Sequence, residues 1–114
     1  MPFINTKLNV ELTEEKENIL KTKFGDAISL IPGKSESWLM LDFEDNCHIY
    51  FRGDNSSPIA FVEINLKGCA PRNAYDALTK KITEILSIEL CIDTSNIYIK
   101  FSETDTWGWN GANL

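Results

Sequence analysis

The first two residues of the chain, Met1 and Pro2, could carry acid–base chemistry. An initiator methionine is usually removed when a small residue such as proline follows it, and its removal leaves Pro2 with a free secondary amine. The reference pKa of an α-amino group is about 8, and an apolar site or a neighbouring cation lowers it. A neutral amine can take a proton from a carbon next to a carbonyl group. The alternative is that Pro2 is merely a tolerated second residue.

Five further residues could complete a site around that amine. Lys34 follows a Pro-Gly pair and could hold a carboxylate, or it could be an ordinary solvated lysine. Lys67 ends a predicted strand, where a backbone N–H is left free to bind an anion. Tyr98 and Lys100 share one strand face, and Lys100 could contact substrate or pair with an acid of another subunit. Trp109 could line the site or simply pack.

The first half of the chain predicts strand, helix and strand. Apolar alternation indicates a strand over residues 3–10, and Thr13 followed by acidic residues predicts a helix start. Pro32-Gly33 predicts the end of that helix. The run at residues 38–43 is apolar at consecutive positions, which predicts a strand covered on both faces. A short hairpin strand is predicted at residues 48–51, with a turn after it.

The second half repeats this order, with strands at residues 59–66 and 97–101 and a helix at 72–90. We therefore expect one domain over residues 1–114, of the α/β (α+β) class. Its two βαβ repeats form a four-stranded mixed sheet with both helices on one face, because such crossovers are right-handed. The opposite face would carry some apolar side chains of the strands, so we expect other copies of the chain to cover it.

Composition excludes several classes of function. The 114 residues carry a formal net charge of −6 with only two arginines, which argues against a nucleic acid partner, and no apolar run is long enough to suggest a membrane partner. The three cysteines, Cys47, Cys69 and Cys91, and the single His48 have no metal-ligand spacing, so no metal is expected. Reduced cysteines predict a cytoplasmic protein.

The order of these motifs over the whole chain resembles the macrophage migration inhibitory factor family of the tautomerase superfamily. The resemblance lies in the Met1-Pro2 start, Pro-Gly-Lys at 32–34, the turn at 51–58, the Ile-Tyr-Ile run at 97–99 and Gly-Trp-Asn-Gly at 108–111. It implies a homotrimer with sites between subunits, no cofactor, and keto–enol tautomerisation of phenylpyruvate-like 2-oxo acids.

The resemblance also implies roles for individual residues. Pro2 is the proton shuttle, and Lys34 matches a lysine that binds the substrate carboxylate. Lys67 matches a backbone amide that contacts substrate, with Ile64 as the other possible register. Tyr98 and Lys100 match a pair supplied by the neighbouring subunit. Trp109 would line the pocket.

The sequence departs from the family pattern at several positions. A CxxC motif of animal members is replaced by Ile59 and Val62, a pocket histidine by Asn65, and a final aromatic residue by Leu114. Lys100 replaces an asparagine, which adds a cation and favours more acidic substrates. The alternatives are a related dehalogenase or decarboxylase, which usually needs more arginines, and a non-enzymatic cytokine-like binding protein with a vestigial pocket and non-classical secretion.

Overall fold

A mixed sheet of four strands forms the centre of the fold in the computed structural model, which describes residues 1–114. The strands lie in the order β2-β1-β3-β4, where β1 is parallel to β2 and antiparallel to β3, and β3 is parallel to β4. A helix joins the two strands of each parallel pair, which confirms the predicted pair of βαβ repeats. Strands β1 to β4 are, in order, Pro2–Leu8, Met40–Glu44, Ala60–Lys67 and Ile97–Thr104.

The first helix, α1 (Glu14–Ala27), begins where the sequence predicts. The hydroxyl of Thr13 accepts a hydrogen bond from the backbone N–H of Lys16 at 3.2 Å, which satisfies one of the unpaired donors at the helix start. The helix ends earlier than predicted, because Ile28–Leu30 tightens into a 3-10 turn before Pro32 is reached.

The second helix, α2 (Arg72–Leu90), has the predicted bounds. A buried apolar stripe along one side packs it against the sheet and α1, and Cys91 ends it in the left-handed conformation with φ of 55°. The carboxylate of Glu89 lies 3.3 Å from the ammonium of Lys16 and 2.6 Å from that of Lys23, so it ties α2 to α1. The stripe consists of Leu78, Ile82, Ile85 and Leu86.

Only one face of the sheet is covered by the helices. Successive side chains of a strand point to opposite faces, and in β3 every second residue is buried against the helices. The buried set is Ala60, Val62, Ile64 and Leu66. The intervening residues Phe61, Glu63, Asn65 and Lys67 face the other side, which we call the open face.

The open face carries both polar and apolar side chains, as the sequence predicts. The side-chain amide of Asn5 donates hydrogen bonds to the carboxylates of Asp42 and Glu44, each at 2.7 Å. Its amide oxygen is buried without a partner. The apolar side chains on this face are Phe3, Met40, Phe61 and Tyr98. These four alternate with charged residues, so the face lacks a continuous apolar surface.

The predicted strand at residues 38–43 is shifted and half-covered. Trp38 belongs to a 3-10 turn, and β2 begins only at Met40. Leu41 and Phe43 pack against the core while Met40 and Asp42 are exposed, so within one chain only one face of this strand is covered. Residues 38–43 are apolar at consecutive positions because apolar residues of the 3-10 turn directly precede a strand whose side chains alternate normally.

The hairpin strand predicted at residues 48–51 does not form. Phe51 makes an isolated bridge with Asp54, and the preceding residues have no strand partner within the chain. A short hairpin that the sequence did not indicate lies near the C-terminus, formed by β5 (Gly108–Trp109) and β6 (Ala112–Asn113).

Candidate active site

Pro2 is the first residue of β1 and is buried between two neighbouring strands. It pairs with Leu66 of β3, while the next residue, Phe3, pairs with Met40 of β2. Proline is tolerated at the first position of a strand, where its missing N–H breaks no ladder. With Met1 attached, the nitrogen of Pro2 belongs to a peptide bond and cannot accept a proton.

Lys34 reaches this end of the sheet from the turn after α1. Gly33 adopts φ of 79°, which lets the chain reverse, and the backbone N–H of Lys34 donates to the carbonyl of Ile31 at 3.1 Å. The half-buried ammonium of Lys34 donates to the carbonyl oxygen of Lys67 at 3.2 Å. An ammonium has three donors, so the others are available to a ligand.

Lys67 lies beside the N-terminal residue at the end of β3. Its backbone N–H donates to the carbonyl oxygen of Met1 at 3.3 Å, and Gly68 then turns the chain with φ of 82°. Ile64, the other residue considered for this contact, is fully buried and pairs with Ile4 inside the sheet. The geometry therefore favours the Lys67 register.

The surroundings of the N-terminal amine keep it neutral at physiological pH. Burial, the charge of Lys34, a hydrogen bond with that lysine and the charge of Lys67 together lower the pKa of the Met1 amine from 8.0 to about 6. Each of these disfavours the protonated form. Because the nitrogen of Pro2 is one residue away, Lys34 and Lys67 also lie near it.

Two tryptophans lie at the same end of the sheet. The rings of Trp38 and Trp109 meet edge to face, with centroids 5.2 Å apart. Trp38 is two residues before Met40, the partner of Phe3 in the sheet, so the pair flanks the region around Pro2. The sequence pattern placed Trp38 in a strand, so Trp38 was not predicted as a site residue. Its position four residues after Lys34 was a usable signal.

Tyr98 and Lys100 do not join Pro2 within one chain. Tyr98 pairs with Phe61, five residues along β3 from the partner of Pro2, which corresponds to about 17 Å at ~3.3 Å per residue. Its ring instead meets that of Phe51 edge to face at 5.1 Å, and the guanidinium of Arg52 lies 4.7 Å from the centre of the Phe51 ring.

The Tyr98 end of the sheet has a small apolar pocket of about 110 Å³. Its lining is almost entirely apolar and includes Ile59, Phe51 and Tyr98. The six residues predicted for the site thus separate into two groups. Pro2, Lys34, Lys67 and Trp109 lie at one end of the sheet, while Tyr98 and Lys100 lie farther along it.

A hydrogen-bond network fixes the loop that follows Lys67. The hydroxyl of Tyr75 donates to the carboxylate of Glu103 and accepts from the backbone N–H of Ala70 at 3.1 Å. Burial and the bond to Glu103 raise the pKa of Tyr75 to about 12. Its ring stacks on Phe101 with centroids 4.5 Å apart. This contact joins α2 to β4 directly behind the end of β3.

Other chemistry has no matching residues. No group of three or more His, Cys, Asp or Glu side chains is arranged to hold a metal ion. The three cysteines, Cys47, Cys69 and Cys91, are free thiols. Neither helix is both long enough and apolar enough for a membrane crossing.

Paired βαβ repeats with helices on one sheet face and a proline at the head of the first strand define the fold class of the tautomerase superfamily. The family model described as macrophage migration inhibitory factor matches residues 1–114. The chain belongs to the macrophage migration inhibitory factor family. No curated protein sequence matches it.

Solved structures agree with this assignment. Leishmania major MIF2 is 30% identical over 100% of this chain and 97% of its own, with a TM-score of 0.92. A macrophage migration inhibitory factor-like protein from Entamoeba histolytica is 21% identical over 99% and 98%, with a TM-score of 0.86. Pt0534, solved after inactivation by 2-oxo-3-pentynoate, is 13% identical over 97% and 94%, also with a TM-score of 0.86. The last two show similarity of fold alone.

Proposed function

We propose that this protein is a keto–enol tautomerase of small 2-oxo acids of the phenylpyruvate type, and that Pro2 is its acid–base group after Met1 is removed. The observation that carries the proposal is the set of neighbours that lowers the pKa of the Met1 amine, one residue before Pro2, to about 6. Such an amine is neutral at physiological pH and can act as a base. Family membership supports an isomerase-type reaction. The inactivation of Pt0534 by an acetylenic 2-oxo acid supports the substrate class.

The proposed reaction moves one proton and changes no other atom. The neutral amine of Pro2 takes a proton from the carbon next to the carbonyl group, and the electron pair moves to the carbonyl oxygen. The amine then returns the proton to that oxygen, which gives the enol. Lys34 holds the substrate carboxylate, and the backbone N–H of Lys67 stabilises the charge that develops on oxygen. Trp109 lines the site, and no cofactor is required.

The proposal includes assembly into a homotrimer. Within one chain, Tyr98 and Lys100 lie too far along the sheet to contact a substrate at Pro2. A neighbouring copy packed on the open face would bring its own Tyr98 and Lys100 to that substrate, so each site would lie between two subunits.

Replacing Pro2 by glycine tests the prolyl role. We expect Pro2→Gly to lower turnover of the enol of phenylpyruvate by at least ~10-fold, since positioned acid–base groups contribute about 10²–10⁴-fold and glycine keeps an amine without the packed ring. The matched control is Pro58→Gly, which changes a proline whose nitrogen lies within the chain. Unchanged turnover in Pro2→Gly, with Met1 removal verified by intact mass, would refute the proposal.

A further inference from the structure

Two half-buried lysines at the candidate site have no carboxylate partner. The half-buried lysines of the chain are Lys16, Lys34 and Lys67, and of these only Lys16 is paired, with Glu89 at 3.3 Å. The four salt bridges of the chain involve neither Lys34 nor Lys67. The protein has 17 acidic residues and 11 basic ones, so its carboxylates are in excess. The absence of pairing is therefore a property of this site.

Lys34 also contacts the backbone of Lys67 directly. The ammonium of Lys34 lies 3.2 Å from the carbonyl oxygen of Lys67, and the backbone N–H of Lys67 lies 3.3 Å from the carbonyl oxygen of Met1. Both lysines lower the pKa of the N-terminal amine, so both charges reach the position of the proposed base. An anionic ligand bound at this position would be attracted by both charges.

A ligand with one carboxylate would neutralise only one of these lysines. Lys34 already lies beside the N-terminus of the chain, and it is expected to bind the carboxylate next to the oxo group. The side chain of Lys67 would then remain a half-buried cation without a counter-charge, which is unfavourable. A second anionic group on the substrate would supply that counter-charge.

We infer that the side chain of Lys67 is a specificity-determining group that selects 2-oxo acids carrying a second carboxylate. This inference deepens the function proposed above and rests on it. Lys34 binds the carboxylate next to the oxo group, the backbone N–H of Lys67 binds the oxo oxygen, and the Lys67 ammonium binds the distal carboxylate. The proton transfer at Pro2 is the same for both substrate types.

The test compares two substrates that differ by a single charge. These are the enol forms of 2-oxobutanedioic acid and of its 4-methyl ester, which share a carbon frame. We expect the protein to prefer the diacid in kcat/KM. Lys67→Met should lower that preference by about 10-fold, since one charge-assisted contact is lost. Lys67→Arg, which keeps the charge, should retain most of the preference.

The control variant is Lys80→Met, which removes an exposed lysine of α2 and should leave the preference unchanged. Two results would overturn the inference. One is a wild-type protein that turns over the ester as well as the diacid. The other is a Lys67→Met variant in which kcat/KM falls by the same factor for both substrates, because that pattern indicates a general structural effect.

A binding measurement separates this inference from the proposed function. Butanedioic acid and its monomethyl ester cannot tautomerise, and their binding can be followed by the fluorescence of Trp38 and Trp109. If neither enol is turned over, the proposed function fails. The Lys67 inference still stands if the diacid binds about 10-fold more tightly than the monoester and Lys67→Met removes the difference. It fails if the two bind equally.

Discussion

The backbone N–H of Lys67 donates a hydrogen bond to the carbonyl oxygen of Met1 across a distance of 3.3 Å. In the proposed mechanism this N–H binds the substrate oxygen, so the uncleaved first residue occupies a group that the substrate needs. Removal of Met1 frees the N–H of Lys67 and creates the amine of Pro2 in a single step. We therefore expect the chain with Met1 attached to be inactive for two separate reasons.

The first prediction follows from that double role of Met1. Inserting one leucine between Met1 and Pro2 keeps the proline ring and turns its nitrogen into an amide, which cannot accept a proton. We expect turnover of the enol of phenylpyruvate to fall by at least ~10²-fold. Intact mass should verify the extended N-terminus, and circular dichroism should verify the fold. An extended protein that retains more than a tenth of wild-type turnover would contradict the mechanism.

The second prediction concerns pH. We expect the neighbours that lower the pKa of the Met1 amine to lower that of the Pro2 amine as well, so kcat/KM should rise with pH below the usual range of an α-amine and then level off. Lys34→Met removes a cation that disfavours the protonated amine, so the amine pKa should rise and the acidic limb should move to higher pH.

The pH experiment is a series of initial-rate measurements in buffers of constant ionic strength. Lys21→Met is the control, because Lys21 is an exposed lysine on α1. A profile that stays flat across the acidic range would contradict the neutral-amine mechanism. So would a Lys34→Met profile displaced toward lower pH.

The third prediction tests the shared sites. A subunit extended before Pro2 and a subunit carrying Tyr98→Ala with Lys100→Ala should each be nearly inactive alone. The two subunits are then mixed in equal amounts, unfolded and refolded together. About a quarter of the normal number of active sites should be recovered, because in a closed ring a subunit with a free Pro2 amine has a neighbour with intact Tyr98 and Lys100 at about a quarter of the interfaces. No recovery, in a sample that native mass spectrometry shows to contain mixed trimers, would exclude sites between subunits.

The fourth prediction concerns the hydroxyl of Tyr75. Tyr75→Phe leaves the N–H of Ala70 and the carboxylate of Glu103 without their partner, so we expect unfolding free energy to fall by about 1–2 kcal/mol. Urea denaturation measures the change. Tyr50→Phe is the matched control, since Tyr50 is two-thirds exposed, at 66%. Equal stability of the two variants would show that the network contributes nothing measurable.

The bounds of α2 were predicted best, and the reason is local. The apolar stripe of α2 repeats at helical spacing throughout, so residues 72–90 could be assigned exactly as they form. Strand limits depend on which partner strand is available. The segment at residues 48–51 is rich in aromatic and β-branched residues, as strands are, but no edge of the sheet within the chain pairs with it.

For the candidate site, sequence and resemblance together located Lys34 and Lys67 near Pro2, because family motifs fix their positions along the chain. The contact between Trp38 and Trp109 could not be predicted, since it joins residues 71 positions apart through a turn that looked like a strand. The bond between Tyr75 and Glu103 was missed for the same reason. The residue types of Tyr75 and Glu103 do not by themselves indicate which distant side chain each will contact.

The alternation of charged and apolar side chains on the open face has a consequence for a newly made subunit. Before it finds other copies, such a subunit exposes Asp42, Glu44 and Lys100 to water together with two small apolar pairs, Phe3 with Met40 and Phe61 with Tyr98. Aggregation driven by the hydrophobic effect requires a large contiguous apolar patch, and the open face has none. We therefore expect diluted subunits to stay monomeric in solution and to reassemble when they are concentrated, rather than to aggregate irreversibly.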